Sequence, residues 1–279
     1  MFQYAAGRAL ALNLADSFKL DTSGFVGYGL HQGFELDRVF SCELDIASRD
    51  EVCDLLGWRS KMPVRRILMR QDFALFRGAH FVIEPHFHYW RGINKTPRNS
   101  YISGYWQSEQ YFQDHISIIR SDFKFKIPFS EHNAELAKKI GQVNAVSLHV
   151  RRGDYAANPI VLATHGLCSL QYYKEAIRFV SERVNEPYFF IFSDDIEWVK
   201  DNLEIGFQHQ YIDHNYGLES YNDMRLMSLC QHHIIANSSF SWWGAWLNPS
   251  PAKLVVSPEK WFSNDNQATD LIPREWVRL

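Results

Sequence analysis

The sequence predicts an α/β protein with a mostly parallel sheet, and three observations support that fold class. Through the second half of the chain, short apolar segments rich in β-branched and aromatic residues alternate with stretches of helical periodicity, which is the pattern of βαβ units. The composition is that of a globular protein, because 46% of the residues are hydrophobic and 22% are charged. The length of 279 residues suits one large domain or two domains of about 100–150 residues.

The first half of the chain carries few clear signals. Its opening residues place Phe2, Ala5 and Ala9 at helical spacing, which predicts a packed helix. A signal peptide is disfavoured because the stretch has no basic leader and is interrupted by Arg8 and Asn13. The remaining predictions are strands at 18–21, 80–84 and 101–104 and a helix at 108–119.

The second half is easier to interpret because its apolar segments are short and well separated. The predicted strands are 144–150, 188–192, 210–213, 233–236 and 253–256. The predicted helices are 169–184, 195–203, 219–230 and 240–247. The polar, proline-containing segment 124–131 is the best candidate linker, so we divide the chain into two α/β domains at 1–128 and 129–279.

Charge and cysteine content exclude several classes of protein. Lys and Arg number 29 against 32 Asp and Glu, and the net charge of −3 lacks the basic excess of a nucleic-acid-binding protein. The four cysteines form no C-x-x-C pair, which argues against a disulfide framework or a zinc site and favours a reducing compartment. No apolar run approaches the ~20 residues that span a bilayer.

Polar side chains follow three of the predicted strands. They are Arg151, Arg152 and Asp154 after the first strand of the second half, Ser193, Asp194 and Asp195 after the second, and Asn237, Ser238, Ser239 and Phe240 after the fourth. Because ligands of parallel sheets bind at the carboxyl ends of the strands, these side chains would share one crevice if the strands are neighbours. Asp223, on the preceding helix, could accept hydrogen bonds from a base or a ribose.

This set of residues fits a nucleoside diphosphate. The planar guanidinium groups of Arg151 and Arg152 suit phosphate because they donate paired, charge-assisted hydrogen bonds. The helix that follows Ser238 and Ser239 would attract an anion through its free backbone N–H groups. Each feature also has a simpler explanation, since an Arg-Arg pair can be a solvated surface and Asn-Ser-Ser can be a helix N-cap. The functional interpretation depends on their occurrence together.

The segment HVRRGDY at 149–155 resembles the H-x-R-R-x-D signature of the galactoside α-1,2-fucosyltransferases, glycosyltransferase family 11. Seven further segments resemble the same family in the same order and span almost the whole chain. They are MFQYAAGRALA at 1–11, GYWQSEQYF at 104–112, HGLCSLQYY at 165–173, FSDD at 192–195, YNDMRLMS at 221–228, IIANSSFSWWGAWLN at 234–248 and EWVRL at 275–279. One such segment would be a weak signal, whereas eight in register are specific.

The resemblance implies a GT-B-like fold, in which two Rossmann-like domains face a central cleft that holds the donor. The implied reaction is the inverting transfer of L-fucose from GDP-fucose to the 2-hydroxyl of a terminal β-galactoside, with no metal or other cofactor. The domain at 1–128 would lie on the acceptor side, and the domain at 129–279 would bind the GDP-sugar. The absence of a D-x-D sequence, the usual diphosphate–metal motif of the other glycosyltransferase fold, agrees with metal independence.

The resemblance also implies roles for individual residues. Arg151 and Arg152 would hold the pyrophosphate and stabilise the charge that develops on it, with His149 near the ribose and the diphosphate. The other implied donor-side residues are Asp223 facing the guanosine, Ser238, Ser239 and Phe240 cradling the nucleotide, and Ser193, Asp194, Asp195 and Asn237. Asp154 is the first candidate for the base that takes the acceptor proton. It could equally form a salt bridge that orients an arginine, and an oxocarbenium-like path with weak base assistance is a further alternative.

Aromatic residues and histidines outside these motifs allow several interpretations. Tyr105, Trp106 and Gln107, at the end of a predicted strand, are the candidates for contact with the acceptor sugar. The three tryptophans of segment 240–247 are expected in the core, and His86-x-His88 lacks the further ligand that a metal site needs.

In the family that this chain resembles, a first strand and a glycine-rich loop normally precede the MFQYA motif, whereas the sequence here begins within that motif. We expect that adding such a strand and loop upstream of Met1 raises both the stability of the protein and its transfer activity.

Three functions remain in competition. The leading hypothesis is an α-1,2-fucosyltransferase of surface glycan synthesis, such as that of O-antigen or lipopolysaccharide, in the bacterial cytoplasm with peripheral association at the inner membrane. A second is transfer of a related GDP-deoxysugar such as colitose. A third is a non-catalytic carbohydrate-binding protein, against which the arginine pair argues because a lectin has no use for a pyrophosphate site.

Overall fold

The computed structural model describes residues 1–27, 32–153, 158–263 and 270–279. The chain forms two compact units. The first comprises Met1–Lys126 and Thr269–Pro273, and the second comprises Ile127–Ala268 and Arg274–Leu279. The division falls within the predicted linker and beside residue 128. Among the described residues, no helix combines the length and the apolar character needed to cross a membrane.

The first unit is built from short helices around a small parallel sheet. Its helices are α1 (Phe2–Leu14), α2 (Leu36–Val39), α3 (Arg49–Leu56), α4 (Met62–Leu68) and α5 (Ile116–Asp122). Its described strands are β1 (Phe81–Ile83) and β2 (Tyr101–Ser103), which pair in parallel. The helix predicted at the start is confirmed as α1, whose buried face includes Phe2, Tyr4 and Ala9. Tyr4 packs against Phe18 and Phe123.

Two predictions for the first unit were wrong. Segment 18–21 contributes a single bridge from Leu20 to Ile46 instead of a strand. Segment 108–119 forms two short 3₁₀ turns before α5 instead of one helix. The turns are separated by Phe112, whose φ of −138° is not helical, and the hydroxyl of Ser108 accepts a hydrogen bond from the Gln110 N–H. Such local side-chain bonds compete with helix formation.

The second unit contains a six-stranded parallel sheet. Its strands are β3 (Asn144–Val150), β4 (Pro187–Ser193), β5 (His209–Ile212), β6 (His232–Ile234), β7 (Val255–Ser257) and β8 (Val277–Arg278). Their order is β5-β4-β3-β6-β7-β8, with every pairing parallel. This is the Rossmann order, in which the direction of winding reverses between β3 and β6. The five strands predicted here are confirmed within a few residues, and β8 is an addition.

Helices cover both faces of this sheet. They are α6 (Glu131–Ile140), α7 (Pro159–His165), α8 (Leu170–Ser181), α9 (Ile196–Asn202), α10 (Tyr221–Leu229) and α11 (Ser239–Leu247). Alternate residues of β4 enter different cores: Phe189 packs with apolar residues of α8 and α9, whereas Phe190 packs with those of α6 and α10. Because both faces are buried, β4 contains a continuous apolar run from Tyr188 to Phe192. The tryptophans of α11 are buried, as expected.

Candidate functional site

The three strands that the sequence singled out are neighbours in the sheet. β3 lies between β4 and β6, and its last residue, Val150, is in register with Ser193. The residues that follow these strands therefore emerge at the same edge, next to the point where the strand order reverses. Open α/β sheets bind their ligands in the crevice at that point. The sequence prediction of one shared edge is confirmed.

Arg151 and Asp194 form an ion pair at this edge. Nη1 of Arg151 lies 3.2 Å from Oδ2 of Asp194, and the side chains are 22% and 26% exposed. The other carboxylate oxygen of Asp194 accepts a hydrogen bond of 2.8 Å from the backbone N–H of Arg152. One carboxylate thus fixes the turn after β3 and orients the first guanidinium group.

Arg152 is held by a second carboxylate and by an aromatic ring. Its Nε lies 3.7 Å from Oδ2 of Asp195, and its guanidinium carbon lies 3.8 Å from the centroid of the Trp198 ring. Asp195 also caps α9 by accepting a hydrogen bond from the Trp198 N–H. The sequence analysis missed Trp198. An N-cap at Asp195 places residue 198 in the first turn beside the cap, and that spacing was the available signal.

Gly153 is required by the close approach of Asp194. A Cβ atom at position 153 would lie 2.8 Å from Oδ2 and 3.0 Å from Cγ of that carboxylate. A larger residue would displace the carboxylate that pairs with Arg151 and accepts a hydrogen bond from the Arg152 N–H. The glycine of the R-R-G sequence therefore has a local packing reason.

His149 is buried beneath the same edge. Its side chain is 4% exposed, its ring centroid lies 5.9 Å from that of Phe240, and Nδ1 has no hydrogen-bond partner among the described residues. Burial lowers the pKa of His149 to about 3, with a further contribution from the charge of Arg151. The ring is therefore neutral at physiological pH. A buried polar atom without a partner is uncommon in proteins, and it is suited to contact with a ligand.

Of the residues that follow β6, Asn237 and Ser238 are buried and hydrogen-bonded within the fold, whereas Ser239 is exposed. The Asn237 amide is buried and donates to the carbonyl oxygens of His165 and Trp261. It therefore joins three segments of the second unit. Ser238 is also buried and caps α11 by accepting a hydrogen bond from the Phe240 N–H. Ser239 is exposed at the first residue of the helix.

Asp223, on α10, belongs to a polar network with Asn215 and with Asn133 of α6. Its Oδ1 accepts a hydrogen bond of 2.7 Å from Nδ2 of Asn215, which is bonded in turn to Asn133. Burial raises the pKa of Asp223 to about 7, although the hydrogen bond from Asn215 opposes the rise. The side chain can therefore gain or lose a proton near neutral pH, so it can act as either a donor or an acceptor there.

In the first unit, the loop after β2 carries the predicted acceptor-side residues. The carboxylate of Glu84 accepts hydrogen bonds from the backbone N–H groups of Tyr105 and Trp106 at 2.7 and 3.0 Å. Tyr105 is 62% exposed, and its ring stacks on Phe87. Trp106 is only 1% exposed, so the expectation that its ring faces a sugar is corrected. The sequence analysis did not identify Glu84, because nothing in its local sequence signals a bond to a distant loop.

The remaining predicted residues have different positions. Gln107 is half-buried next to the buried Trp106, and Ser193 accepts a hydrogen bond of 3.0 Å from the Asp195 N–H. Asp154, the candidate base, lies outside the described residues. The structure thus brings together the arginine pair, the two aspartates after β4 and His149.

Comparison with known proteins supplies the family. The protein-family model described as Glycosyl transferase family 11 matches residues 71–279 of the sequence. An alpha-1,2-colitosyltransferase of Escherichia coli is 38% identical over 282 residues, covering 100% of this chain and 94% of that protein. The O-antigen biosynthesis glycosyltransferase WbnK of Escherichia coli is 31% identical over 295 residues, covering 100% and 96%.

A solved structure supports the fold. The alpha-1,6-fucosyltransferase NodZ, whose crystals were soaked with GDP-fucose, matches 89% of this chain and 88% of its own with a TM-score of 0.51. At 14% sequence identity this likeness concerns the fold alone, and it agrees with the predicted GT-B-like class. Because the family model covers most of the chain and the relatives align along its whole length, the chain belongs to glycosyl transferase family 11 and is a glycosyltransferase.

Proposed function

We propose that this enzyme transfers a 6-deoxyhexose from its GDP-sugar to the 2-hydroxyl of a terminal β-galactoside during surface glycan synthesis, with L-fucose as the leading donor sugar. The observation that carries the proposal is the arginine pair at the reversal point of the sheet, beside a buried His149 whose Nδ1 has no hydrogen-bond partner in the part of the chain that the structure describes. Family membership supports the reaction class. No metal or other cofactor takes part in the proposed reaction.

The chemistry explains why guanidinium groups are needed. In an inverting transfer, the acceptor oxygen attacks the anomeric carbon from one face while the bond from that carbon to the β-phosphate oxygen breaks on the other. The acceptor proton passes to a base, and GDP leaves with additional negative charge. Arg151 and Arg152 would stabilise this charge as it develops. Loss of one such donor in other enzymes lowers the rate by about 10²–10³, or roughly 3–4 kcal/mol.

The other residues have proposed roles that follow from their contacts. Asp194 and Asp195 are positioning residues, because each is paired with one arginine of the site. Asp223 would face the guanine and Tyr105 the acceptor sugar. For the base we propose Asp154.

Colitose is the second candidate for the transferred sugar, and the 38% identity to a colitosyltransferase favours it. Colitose is fucose without the 3-hydroxyl group. A site with a buried hydrogen bond to that hydroxyl would discriminate against GDP-colitose by about 10⁴, whereas an apolar site would discriminate weakly. Comparison of the transfer rates from GDP-fucose and from GDP-colitose therefore distinguishes the two candidate sugars.

The test is acceptor-dependent release of GDP. The purified protein is incubated with GDP-fucose or GDP-colitose and with lactose or a Galβ1,3-linked disaccharide in the presence of EDTA, and the product linkage is determined by NMR. We expect an α-1,2-linked product. The Arg178→Lys variant, altered on the exposed side of α8, is the control for the Arg151→Lys variant.

Two results would contradict the proposal. Release that requires added Mg²⁺ would refute metal independence. Calorimetric binding of galactosides without binding of GDP would instead indicate a non-catalytic carbohydrate-binding protein.

A further inference from the structure

A short segment of the first unit exposes an unusual concentration of apolar side chains. Of the sixteen large hydrophobic side chains that are exposed among the described residues, seven lie between positions 55 and 76. They are Leu55, Trp58, Met62, Ile67, Met69, Leu75 and Phe76. Leu75 is 96% exposed, so nearly its whole side chain is in solvent. Clustered exposure of this kind marks interaction surfaces, whereas single exposed apolar residues are ordinary.

The same segment is strongly basic. Positions 57–76 contain five Arg or Lys residues and one acidic residue, Asp72, in a chain whose net charge is −3. Arg65 is buried against Asp21, and Arg70 lies 3.8 Å from Asp72, so the cations at the surface still outnumber the acidic group. Lys61, Arg66 and Arg70 are exposed, and Arg59 is half-buried with its guanidinium group 4.9 Å from the ring centroid of Trp58. Exposed apolar groups and cations therefore alternate over one continuous stretch, which we call the 55–76 surface.

Buried contacts fix the backbone beneath this surface. Arg65 forms an ion pair of 2.6 Å with Asp21, and Leu68 belongs to an apolar cluster with Leu56 and Phe81. The guanidinium group of Arg77 donates to the carbonyl oxygens of Leu68 and Arg70. Nε of Arg59 donates to the carbonyl oxygen of Phe76. The exposed side chains are therefore carried by a packed scaffold.

We propose that the 55–76 surface binds an anionic lipid membrane. Leucine, phenylalanine and tryptophan side chains would enter the boundary between headgroups and acyl chains, while Lys61, Arg66 and Arg70 contact lipid phosphates. Interfacial binding combines buried apolar area with attraction to anionic lipids, and this surface offers both. The net positive charge argues against a second copy as the occupant, because two such surfaces would repel each other. None of the residues of the proposed transferase site takes part.

The test is flotation of the purified full chain with vesicles of phosphatidylcholine, with or without phosphatidylglycerol, at low and high salt. The vesicles contain no glycan and no nucleotide sugar, so the result is independent of the proposed function. We expect binding that requires phosphatidylglycerol and weakens at high salt. Absence of binding to anionic vesicles at low salt would overturn the proposal.

Paired variants locate the surface. The double variants Leu75→Ser/Phe76→Ser and Arg66→Glu/Arg70→Glu should each lower vesicle partitioning by about tenfold or more. Their controls are Tyr216→Ser/Leu218→Ser and Lys138→Glu/Arg178→Glu, which change exposed residues of the second unit in the same way. Equal losses in the variants and their controls would refute this surface. Light scattering would refute it in favour of a second copy if it showed a dimer that Leu75→Ser/Phe76→Ser dissociates.

Discussion

Two pairs of arginines among the described residues, one pair in each unit, are held by different kinds of partner. In the first unit, Arg77 donates to backbone carbonyl groups, and Arg65 bonds to a carboxylate and a phenol within the fold. In the second unit, Arg151 and Arg152 pair with carboxylates at the carboxyl edge of the sheet and remain 22% and 24% exposed. The first pair has the contacts of a structural element, and the second has those of a ligand site.

The difference shows how the surroundings decide what an arginine does. A buried guanidinium group whose donors are used by the fold contributes to stability, because its removal leaves polar partners unsatisfied. A partly exposed group held by carboxylates is oriented and can still present N–H donors to a phosphate. Substitution of each pair should therefore affect different measurements.

The largest expected effect is on stability, in the first unit. Arg65→Met leaves Asp21 buried without its ion pair, and such a loss costs about 3–5 kcal/mol of unfolding free energy. Urea denaturation measures this loss, and turnover per folded molecule should be unchanged at low temperature. Arg66→Met, on the exposed side of the same helix, is the control. A stable Arg65→Met variant with impaired turnover would reverse the assignment of the two pairs.

In the second unit, the corresponding change should affect rate and not stability. Arg151→Lys keeps the charge but removes the planar fork, and we expect kcat to fall by about 10²–10³ with little change in Tm. Steady-state kinetics with saturating donor and thermal denaturation measure the two quantities. An unchanged kcat would mean that the diphosphate is bound elsewhere.

A smaller effect should follow from Gly153→Ala. The new methyl group would lie 2.8 Å from Oδ2 of Asp194, so the carboxylate must move by a few tenths of an ångström or more, and the Arg151 guanidinium group that it orients would move with it. Misplacement of this order lowers turnover by about tenfold to 10²-fold. Gly24→Ala is the matched control, because a methyl group there has no neighbour within 4 Å. Equal activity of the two variants would show that the orientation of Asp194 is unimportant.

The contrast between the units also explains which strands and which site residues could be predicted from the sequence. Strands β3 and β4 lie in the interior with both faces covered. The sequence of β4 is an unbroken apolar run from Tyr188 to Phe192, and that of β3 is mostly apolar, with the buried Ser147 and His149 within it, up to Arg151. Because the ends of parallel strands meet at one edge, the arginines and aspartates could be placed together without a structure. The first unit depends on distant polar contacts, such as Glu84 with the loop at Tyr105, which leave no periodic signal.

Two further residues show the limits of local sequence. Trp106 follows an exposed tyrosine and was expected beside it, but its φ of 55° turns the chain and its ring is buried. Trp198 and Arg152 are 46 positions apart in the sequence. Only the fold brings the ring of Trp198, on α9, against the guanidinium group of Arg152, after β3. Spacing from the cap at Asp195 places Trp198 in the first turn of α9, but it does not show the contact with Arg152. That contact and the burial of the Trp106 ring depend on how separate segments pack.

The stacking of Arg152 on Trp198 gives a still smaller prediction. Trp198→Leu removes a cation–π contact of about 0.5–1 kcal/mol, which corresponds to a rise of about two- to fivefold in KM for the donor. Trp58→Leu is a matched control, since Trp58 also lies beside an arginine but in the first unit. A change in kcat alone, with KM unaltered, would contradict a role in orienting Arg152 for donor binding.

The last effect concerns the pH dependence of stability. Burial raises the pKa of Asp223 to about 7 from 3.8 in the unfolded chain, with the Asn215 hydrogen bond opposing the rise. Between these values the folded state binds the proton more tightly than the unfolded state, so this group lowers stability progressively as pH rises from about 4 to 7. Asp223→Asn removes the titrating group while keeping an oxygen for Asn215.

We therefore expect the Tm of Asp223→Asn relative to that of the parent to increase by a few degrees from the acidic to the neutral end of that range, and then to stay constant. Differential scanning calorimetry across the range measures this difference. Asp201→Asn, an exposed carboxylate of the same unit, controls for loss of one negative charge. Because only the difference between variant and parent is used, the titration of other groups cancels. A constant difference would mean that Asp223 ionises in the folded protein as it does in the unfolded chain, and its polar network with Asn215 and Asn133 would then have no role in setting its protonation.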